Sequence, residues 1–191
     1  MSFAAAGSDG SGPVDAAAAF VEADPLRAVL LVVALVVALA ALWWLVQRLR
    51  TTTGERFERL LADREEVAVL MHPNPDPDAM SCALAVQAIA QSVGTDATMQ
   101  YAGQIRHQEN RAFETVLDLD FERVADASEL AADDVVLVDH NTPRGFSGAD
   151  TIDPIAVVDH HPGDGEGRRF TDVRTDNGAC ATILAEHCED I

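Results

Sequence analysis

The stretch Val67-Ala-Val-Leu-Met71-His72-Pro-Asn-Pro-Asp76-Pro-Asp78 joins five consecutive apolar residues to a loop in which prolines alternate with polar residues. The apolar run predicts a short strand that is buried on both faces. Beyond the loop, apolar residues recur at helical spacing over 79–93, and Asp78 is well placed as the N-cap of that helix. A strand, a loop and a helix in this order predict the opening unit of a parallel α/β sheet.

Two further apolar runs, 135–138 and 155–158, also end in polar clusters, Asp139-His140-Asn141 and Asp159-His160-His161. Weaker patterns predict strands over 98–101 and 121–124 and helices over 110–117 and 179–188. The alternation predicts an α/β fold in which a parallel sheet carries helices on both faces. Because such sheets assemble their sites at the carboxyl ends of the strands, the three clusters are expected to meet in one crevice.

The combined clusters contain four carboxylates and four imidazoles, a set that suits two divalent cations and therefore phosphoester chemistry. For the first cluster alone, a proline-rich turn with solvated acids is the alternative to a metal site. The second alone is weak, because an Asp after a strand is common. Three clusters in this order favour a shared site.

In these motifs the chain resembles the DHH phosphoesterases over about residues 66–190. Their first motif, His-x-x-x-Asp-x-Asp, is matched by His72, Asp76 and Asp78. Their second, an Asp that closes an apolar strand, is matched by Asp139, and their third by Asp159-His160-His161. A stretch of small residues over 179–182 is similar to the helix start that follows these motifs in the family.

The resemblance implies two Mn²⁺ ions. His72 and Asp76 would hold one ion, Asp78 and His160 the other, and Asp139 would bridge them. Activation of a shared water by the ions would make Asp139 central to catalysis.

The resemblance implies that Asp159 and His161 act behind the ligands or toward the substrate, and His161 is the candidate for phosphate stabilisation or leaving-group protonation. His140 offers the same chemistry, but a polar side chain turned to solvent is the expected state. In the loops that follow, Arg144, Arg168 and Arg169 are candidates for clamping phosphate, and solvated loop charge is an equally good interpretation of each.

The charge balance is extreme, with 32 acidic residues against 13 basic ones, all of them Arg. Such a chain is repelled by nucleic-acid backbones, so no long nucleic acid is expected as a partner. Adaptation to a salty cytoplasm explains the acidic surface better than a specific acidic interface, because the acids are spread along the chain. The three cysteines lack CxxC spacing and predict neither a disulfide framework nor a zinc knuckle.

The amino-terminal third is organised differently. The composition of residues 1–24 predicts a disordered tail, and the apolar run over 26–46 predicts a single transmembrane helix. Residues 47–66 are predicted to form a juxtamembrane helix with one apolar stripe. The catalytic domain is then expected over 67–191. Arginines follow the apolar segment, which predicts a single-pass cell-membrane protein with its N-terminus outside and its domain in the cytoplasm. A cleaved signal peptide would need the opposite flanks.

The motifs and the apolar segment together suggest a membrane-anchored phosphodiesterase acting on small nucleotides, either cyclic dinucleotides or short oligoribonucleotides. Related enzymes also carry an Asp-Thr motif and a separate Gly-rich substrate domain, and the sequence shows neither. The second metal site is therefore expected to be one ligand short. The alternative is an inactive remnant that binds metal or a partner, and a pyrophosphatase of related architecture is a third hypothesis. The sequence leaves a homo-oligomer open.

Overall fold

The computed structural model describes residues 12, 23–49 and 51–191. The chain divides into two compact units, 1–51 and 52–191. The tail predicted over 1–24 lies, apart from residues 12, 23 and 24, outside the described residues.

Among its described residues, the first unit contains one long helix, α1, over Pro25–Leu49. Asp24 caps it, because the Asp24 carboxylate accepts the backbone N–H of Arg27 at 3.1 Å and pairs with the Arg27 guanidinium at 3.0 Å. Over Pro25–Val46 the helix is long and apolar enough to cross a membrane, with a mean hydropathy of 3.0. Its large apolar side chains are exposed.

The second unit begins with helix α2, over Thr53–Ala62. The Thr52 hydroxyl oxygen accepts the N–H of Glu55 at 3.1 Å and caps the helix. The juxtamembrane helix predicted over 47–66 is thus divided between α1 and α2, and the unit extends further towards the N-terminus than residue 67. The apolar stripe that suggested a separate amphipathic helix instead lies in the core, where Phe57 and Leu61 are fully buried.

Six parallel strands form one sheet in the order β3-β2-β1-β4-β5-β6. The predicted parallel α/β fold is confirmed. Strand β6 was missed by the sequence patterns because it is short and only its first residue is buried. The elements after α2 are β1 Glu66–Met71, α3 Pro77–Ser92, β2 Asp96–Ala102, α4 Gln108–Val116, β3 Glu122–Val124, β4 Val135–Val138, β5 Ala156–Asp159, β6 Phe170–Val173 and α5 Cys180–Glu189.

The two faces of the sheet are covered differently. Val69 and Val136 point into a core shared with α2, α3 and α5, whereas Leu70 and Leu137 point to the opposite face. In the described part of the unit, that opposite face is covered by loops and single-turn 3₁₀ helices at Ala127–Glu129 and Ala149–Thr151, rather than by the α-helices expected there. Glycines and prolines interrupt the β4–β5 connection, which explains why no longer helix forms in it.

The strand order reverses between β1 and β4. From β1 the chain moves through β2 to β3 on one side, and it then returns to pair β4 against the other side of β1. At such a point, the connections that follow the two neighbouring strands run in opposite directions. A crevice therefore opens at the carboxyl ends of these strands. The first and second polar clusters follow β1 and β4, so the topology brings them to this crevice.

Candidate metal centre

The loop after β1 is held in place by hydrogen bonds to a later loop and to a later helix. Asn74 adopts a left-handed conformation with φ of 59°, and its Oδ1 accepts the backbone N–H of Arg106 at 2.6 Å. Buried Asn110 donates from Nδ2 to the Pro75 carbonyl at 2.9 Å. These contacts position His72 and the start of α3 at the sheet edge.

Asp76, and not Asp78, is the N-cap of α3. Asp76 Oδ1 accepts the backbone N–H groups of Asp78 at 3.0 Å and Ala79 at 3.1 Å. Pro77 occupies the first helical position, where its missing N–H costs no hydrogen bond. The helix therefore starts earlier than its apolar periodicity indicated.

Asp78 instead caps a different helix. Its Oδ2 accepts the N–H of Cys180 and its Oδ1 accepts the N–H of Ala181, each at 2.8 Å. The N-cap residue of α5 is Ala179, whose side chain has no acceptor. A carboxylate from α3 thus satisfies the amino end of α5, and Asp78 Oδ2 also lies 3.7 Å from His160 Nε2.

Asp139 lies at the centre of the cluster and is only 2% exposed. Its Oδ2 is 3.4 Å from His72 Nε2, and its Oδ1 is 3.3 Å from His160 Nε2. Oδ1 is buried and has no hydrogen-bond partner among the described residues. An uncompensated buried carboxylate oxygen is unfavourable in the absence of a cation or a proton donor. This oxygen therefore fits a metal ligand.

The imidazole tautomers support the same conclusion. His72 Nδ1 lies 3.0 Å from the Pro73 carbonyl and His160 Nδ1 lies 3.1 Å from the Asn177 carbonyl. A carbonyl only accepts, so each Nδ1 carries a proton, and in its neutral form each ring directs an Nε2 lone pair towards Asp139. Two lone pairs facing a carboxylate are stabilised by a cation between them.

When no cation is bound, partial protonation of His72 compensates the nearby Asp139 carboxylate. Burial lowers the pKa of His72, but contact with Asp139 and with the Pro73 carbonyl outweighs burial and leaves the pKa raised above its ordinary value. When the pH is near or below this pKa, the His72 ring is partly protonated, so metal binding at His72 releases a proton.

Asp159 is fully buried and saturated with donors. Its Oδ1 accepts the N–H groups of His160 at 2.7 Å and His161 at 3.1 Å and the Nδ1–H of His161 at 2.9 Å. Its Oδ2 accepts Asn141 Nδ2 at 2.8 Å. The carboxylate therefore orients His161, whose ring is half-exposed at the cleft.

Two groups of side chains place their ligand atoms within 4.8 Å of one another, namely His72, Asp76 and Asp139, and Asp139, His160 and His161. Asp139 belongs to both groups, as expected of a bridging ligand. The second group contains His161 where the family resemblance suggested Asp78. The assignment of individual ligands to two ions stays a prediction.

The cleft has a volume of about 470 Å³, and Arg144 lies in its wall together with the motif residues. Arg168 and Arg169 lie elsewhere, which corrects their assignment to clamping a substrate phosphate at this cleft. Their backbone N–H groups bond to the carbonyls of Pro154 and Ile155, at the start of β5 and hence at the opposite edge of the sheet. Both follow a long loop, and their position in the sequence did not show at which edge that loop returns.

His140 and Asn141 differ from what the sequence patterns predicted. His140 is buried and not turned to solvent, and Nδ1 donates to the Val138 carbonyl at 2.9 Å. Burial lowers the pKa of His140 to about 4, so the ring is neutral. Its edge faces the His72 ring, with centroids 6.4 Å apart. Asn141 links the ends of β4 and β5 through its hydrogen bond to Asp159, and no local sequence pattern predicts this contact.

Comparison with known proteins places these features in a family. The model of the N-terminal domain of the DHH family matches residues 66–190. The chain is 30% identical over 124 residues to an uncharacterized protein of Methanocaldococcus jannaschii, covering 64% of this chain and 26% of that one. It is 29% identical over 96 residues to a probable manganese-dependent inorganic pyrophosphatase of Exiguobacterium sp., covering 50% of this chain and 31% of the relative. The matched region thus spans less than a third of these two curated relatives.

A solved structure of an exopolyphosphatase-related protein from Bacteroides fragilis has a similar fold. The TM-score is 0.50 at 15% identity, and the match covers 72% of this chain and 43% of that one. The match of the family model over the whole β1–α5 region, with all three motifs gathered at one sheet edge, shows that the chain belongs to the DHH phosphoesterase family.

Proposed function

We propose that the protein is a metal-dependent hydrolase of phosphoester bonds in small nucleotides. The observation that carries the proposal is the buried Asp139 carboxylate, which lies against His72 on one side and His160 on the other and leaves Oδ1 without a donor among the described residues. His72, Asp76, Asp78, Asp139 and His160 would hold two Mn²⁺ ions, a metal that the names of the pyrophosphatase relatives also carry. Such ions supply an activated water and neutralise charge that develops on phosphoryl oxygens.

The protein's own residues then have distinct tasks. Asp139 holds the two ligand groups together, and the backbone carbonyls behind His72 and His160 accept from Nδ1, so that the neutral tautomer of each ring leaves Nε2 to bind metal. Asp159 accepts the Nδ1–H of His161 and so orients the ring, which carries a proton on Nε2 as well when it is in its imidazolium form. His161 Nε2 is then able to donate a proton to the leaving oxygen.

Arg144 is the substrate-binding candidate that remains after Arg168 and Arg169 are excluded. It lines the cleft with the motif residues, and a guanidinium matches two phosphate oxygens at once. We assign it to holding a phosphoryl group against the metals.

The cleft and the charge of the chain favour a small substrate. A volume of about 470 Å³ suits a ligand of nucleotide size. The net charge of −19 disfavours a long polyanion. Cyclic dinucleotides and short oligoribonucleotides are therefore the proposed substrates. Inorganic pyrophosphate is a second candidate, favoured by the names of the manganese-dependent relatives.

Helix α1 is proposed to anchor the protein in the cell membrane as a single pass, with its N-terminus outside. Its length, its hydropathy and its exposed apolar side chains support insertion. Arg48 and Arg50 follow the apolar segment in the sequence and favour retention of that end in the cytoplasm.

The test uses the full chain in neutral detergent micelles and high potassium chloride. Hydrolysis of cyclic di-AMP, its linear dinucleotide and pyrophosphate is measured with and without Mn²⁺ for the wild type, Asp139→Asn and the surface control Asp120→Asn. We expect Mn²⁺-dependent turnover of a dinucleotide that is preserved in Asp120→Asn and falls about 10³-fold in Asp139→Asn.

The other outcomes separate the alternatives. Turnover of pyrophosphate alone would select the second candidate. The absence of turnover with all three substrates, together with Mn²⁺ binding that depends on Asp139, would overturn the hydrolase proposal in favour of a protein that binds metal without hydrolysis.

A further inference from the structure

A second cleft lies at the amino-terminal edge of the sheet, and we propose that it binds the phosphate headgroup of an anionic phospholipid. The inference rests on the membrane attachment proposed for α1 and is independent of the chemistry proposed for the metal centre. We call it the arginine cleft and define it by Arg56, Arg59, Arg64 and Arg169, together with Asp63 and Asp134.

The arginine cleft is large enough for a headgroup. Its volume is about 510 Å³, and its wall is formed by α2 on one side and by the residues that lead into β4 and β6 on the other. The buried ring of Phe170 lies at its base, with the Arg56 guanidinium carbon 6.0 Å from the ring centroid. This stacking positions a guanidinium over an apolar floor.

The charges in the arginine cleft are only partly compensated within the protein. Asp134 is engaged by Arg64 at 2.8 Å and by Arg168 at 3.1 Å. In the part of the chain that the structure describes, neither Arg56 nor Arg169 has an ion pair with a carboxylate. Both side chains are exposed, so their guanidinium groups are available to an anion.

The basic character is local to this part of the chain. Residues 48–64 contain five arginines and three acidic residues, which leaves eight basic and 29 acidic residues for the remainder. A protein with a net charge of −19 is repelled by an anionic surface unless it presents a cationic site to that surface. The arginine cleft supplies one.

The position of the arginine cleft in the sequence identifies the source of the anion. Only residues 50–52 separate α1 from α2, and Arg56 follows within the first turn of α2. Basic residues directly after a membrane-spanning helix meet lipid phosphates at the cytoplasmic surface. At high salt, diffuse attraction between charges is screened, whereas guanidinium–phosphate pairs formed inside a cleft persist.

The arginine cleft is also separate from the metal centre. It lies at the amino ends of the strands, whereas His72, Asp139 and Asp159 follow the carboxyl ends of β1, β4 and β5. Lipid binding at one edge leaves the other edge accessible to a small substrate from the cytoplasm.

The test is native mass spectrometry of the full chain in a neutral detergent, with phosphatidylglycerol or phosphatidylcholine titrated in. The wild type is compared with Arg56→Gln/Arg169→Gln and with Arg123→Gln, which removes charge from an exposed residue of β3. We expect retention of phosphatidylglycerol over phosphatidylcholine in the wild type and in Arg123→Gln, and a loss of about 10-fold or more in the double variant, since each arginine near a membrane surface contributes about fivefold.

Three results would overturn the proposal. The first is equal retention of phosphatidylglycerol by the wild type and the double variant. The second is an equal loss in Arg123→Gln, which would show diffuse attraction. The third is displacement of the lipid by millimolar glycerol phosphate, which would identify a soluble phosphate as the ligand. Mn²⁺-dependent hydrolysis is recorded on the same samples, so failure of the metal centre is distinguished from failure of the arginine cleft.

Discussion

Asp78 Oδ2 accepts the backbone N–H of Cys180 at 2.8 Å, which joins the first turn of α3 to the first residue of α5. One carboxylate of the first motif thus stabilises the helix that follows the third motif. The partial positive charge at the amino end of α5 faces this carboxylate, so the contact is electrostatic as well as a cap. Asp78 therefore stabilises the fold whether or not a metal is bound.

Replacing Asp78 should destabilise the unit even without metal. We expect Asp78→Ala to lower the free energy of unfolding by about 1–2 kcal/mol in the presence of a chelator, because two N–H groups of α5 lose their acceptor. Asp78→Asn should lose less, since its amide oxygen still accepts. Chemical denaturation of the full chain measures both. The exposed Asp120→Ala is the control, and an equal loss there would refute the capping role.

Manganese should stabilise the protein through Asp139. At a concentration about 100 times its Kd, bound Mn²⁺ adds about 2.7 kcal/mol and should raise Tm by about 5–10 °C. Asp139→Asn should abolish this rise without unfolding the chain, because Asn tolerates the left-handed φ of 61° at this residue. Thermal scans with and without Mn²⁺ check this, and an unchanged rise in Asp139→Asn would exclude Asp139 as a ligand.

The ion pairs of Asp172 should make stability depend on pH. Burial raises the pKa of Asp172, but its bonds to His187 and Arg174, each at 2.8 Å, outweigh burial and hold the pKa at about 2. Since the pKa is depressed on folding, the stabilisation is complete above the unfolded value near 3.8 and is lost as pH falls towards 2.

Asp172→Asn is therefore expected to lower the free energy of unfolding by about 2 kcal/mol at pH 6. The difference from the wild type should shrink below pH 4. Denaturant midpoints between pH 7 and pH 3 measure this, with exposed Asp164→Asn as the control for loss of one charge. A difference that stays constant over the whole range would show that the effect is not the titration of Asp172.

The contact of α2 with α5 should tolerate no added methyl group. Gly54 donates its N–H to Asp190 Oδ2 at 2.9 Å, and a Cβ at residue 54 would lie 2.6 Å from Asp190 Cβ and clash with the His187 carbonyl. Gly54→Ala should therefore destabilise the unit by about 1–3 kcal/mol, although Ala normally favours a helix.

Gly178→Ala is the matched control, because an added Cβ there meets nothing within 4 Å. Thermal denaturation of both variants measures the effect. If Gly54→Ala were as stable as Gly178→Ala, α2 would not be packed against α5 as described.

The sequence patterns predicted the central strands and α3 well, because continuous apolar runs and helical periodicity are local signals. They failed where a neighbour decides the structure. Leu61 belongs to an apolar stripe whose packing partner the sequence pattern did not show, and the structure places it in the core of the second unit. The N-cap of α3 is Asp76 because Pro77 opens the helix, and His140 is buried because its ring packs beside His72 and bonds to the strand backbone.

By itself, the sequence determined which residues close the strands and that their carboxylates and imidazoles suit divalent cations. Only the tertiary structure decided how they act together. The pairing of β4 with β1 brings Asp139 between His72 and His160, and the packing of α3 on α5 turns Asp78 into a cap. The tertiary structure also places Arg144 at the cleft and Arg169 at the opposite edge of the sheet. The physical reason is that residue type and periodicity set local structure, whereas contacts across the sheet depend on strand order and on core packing.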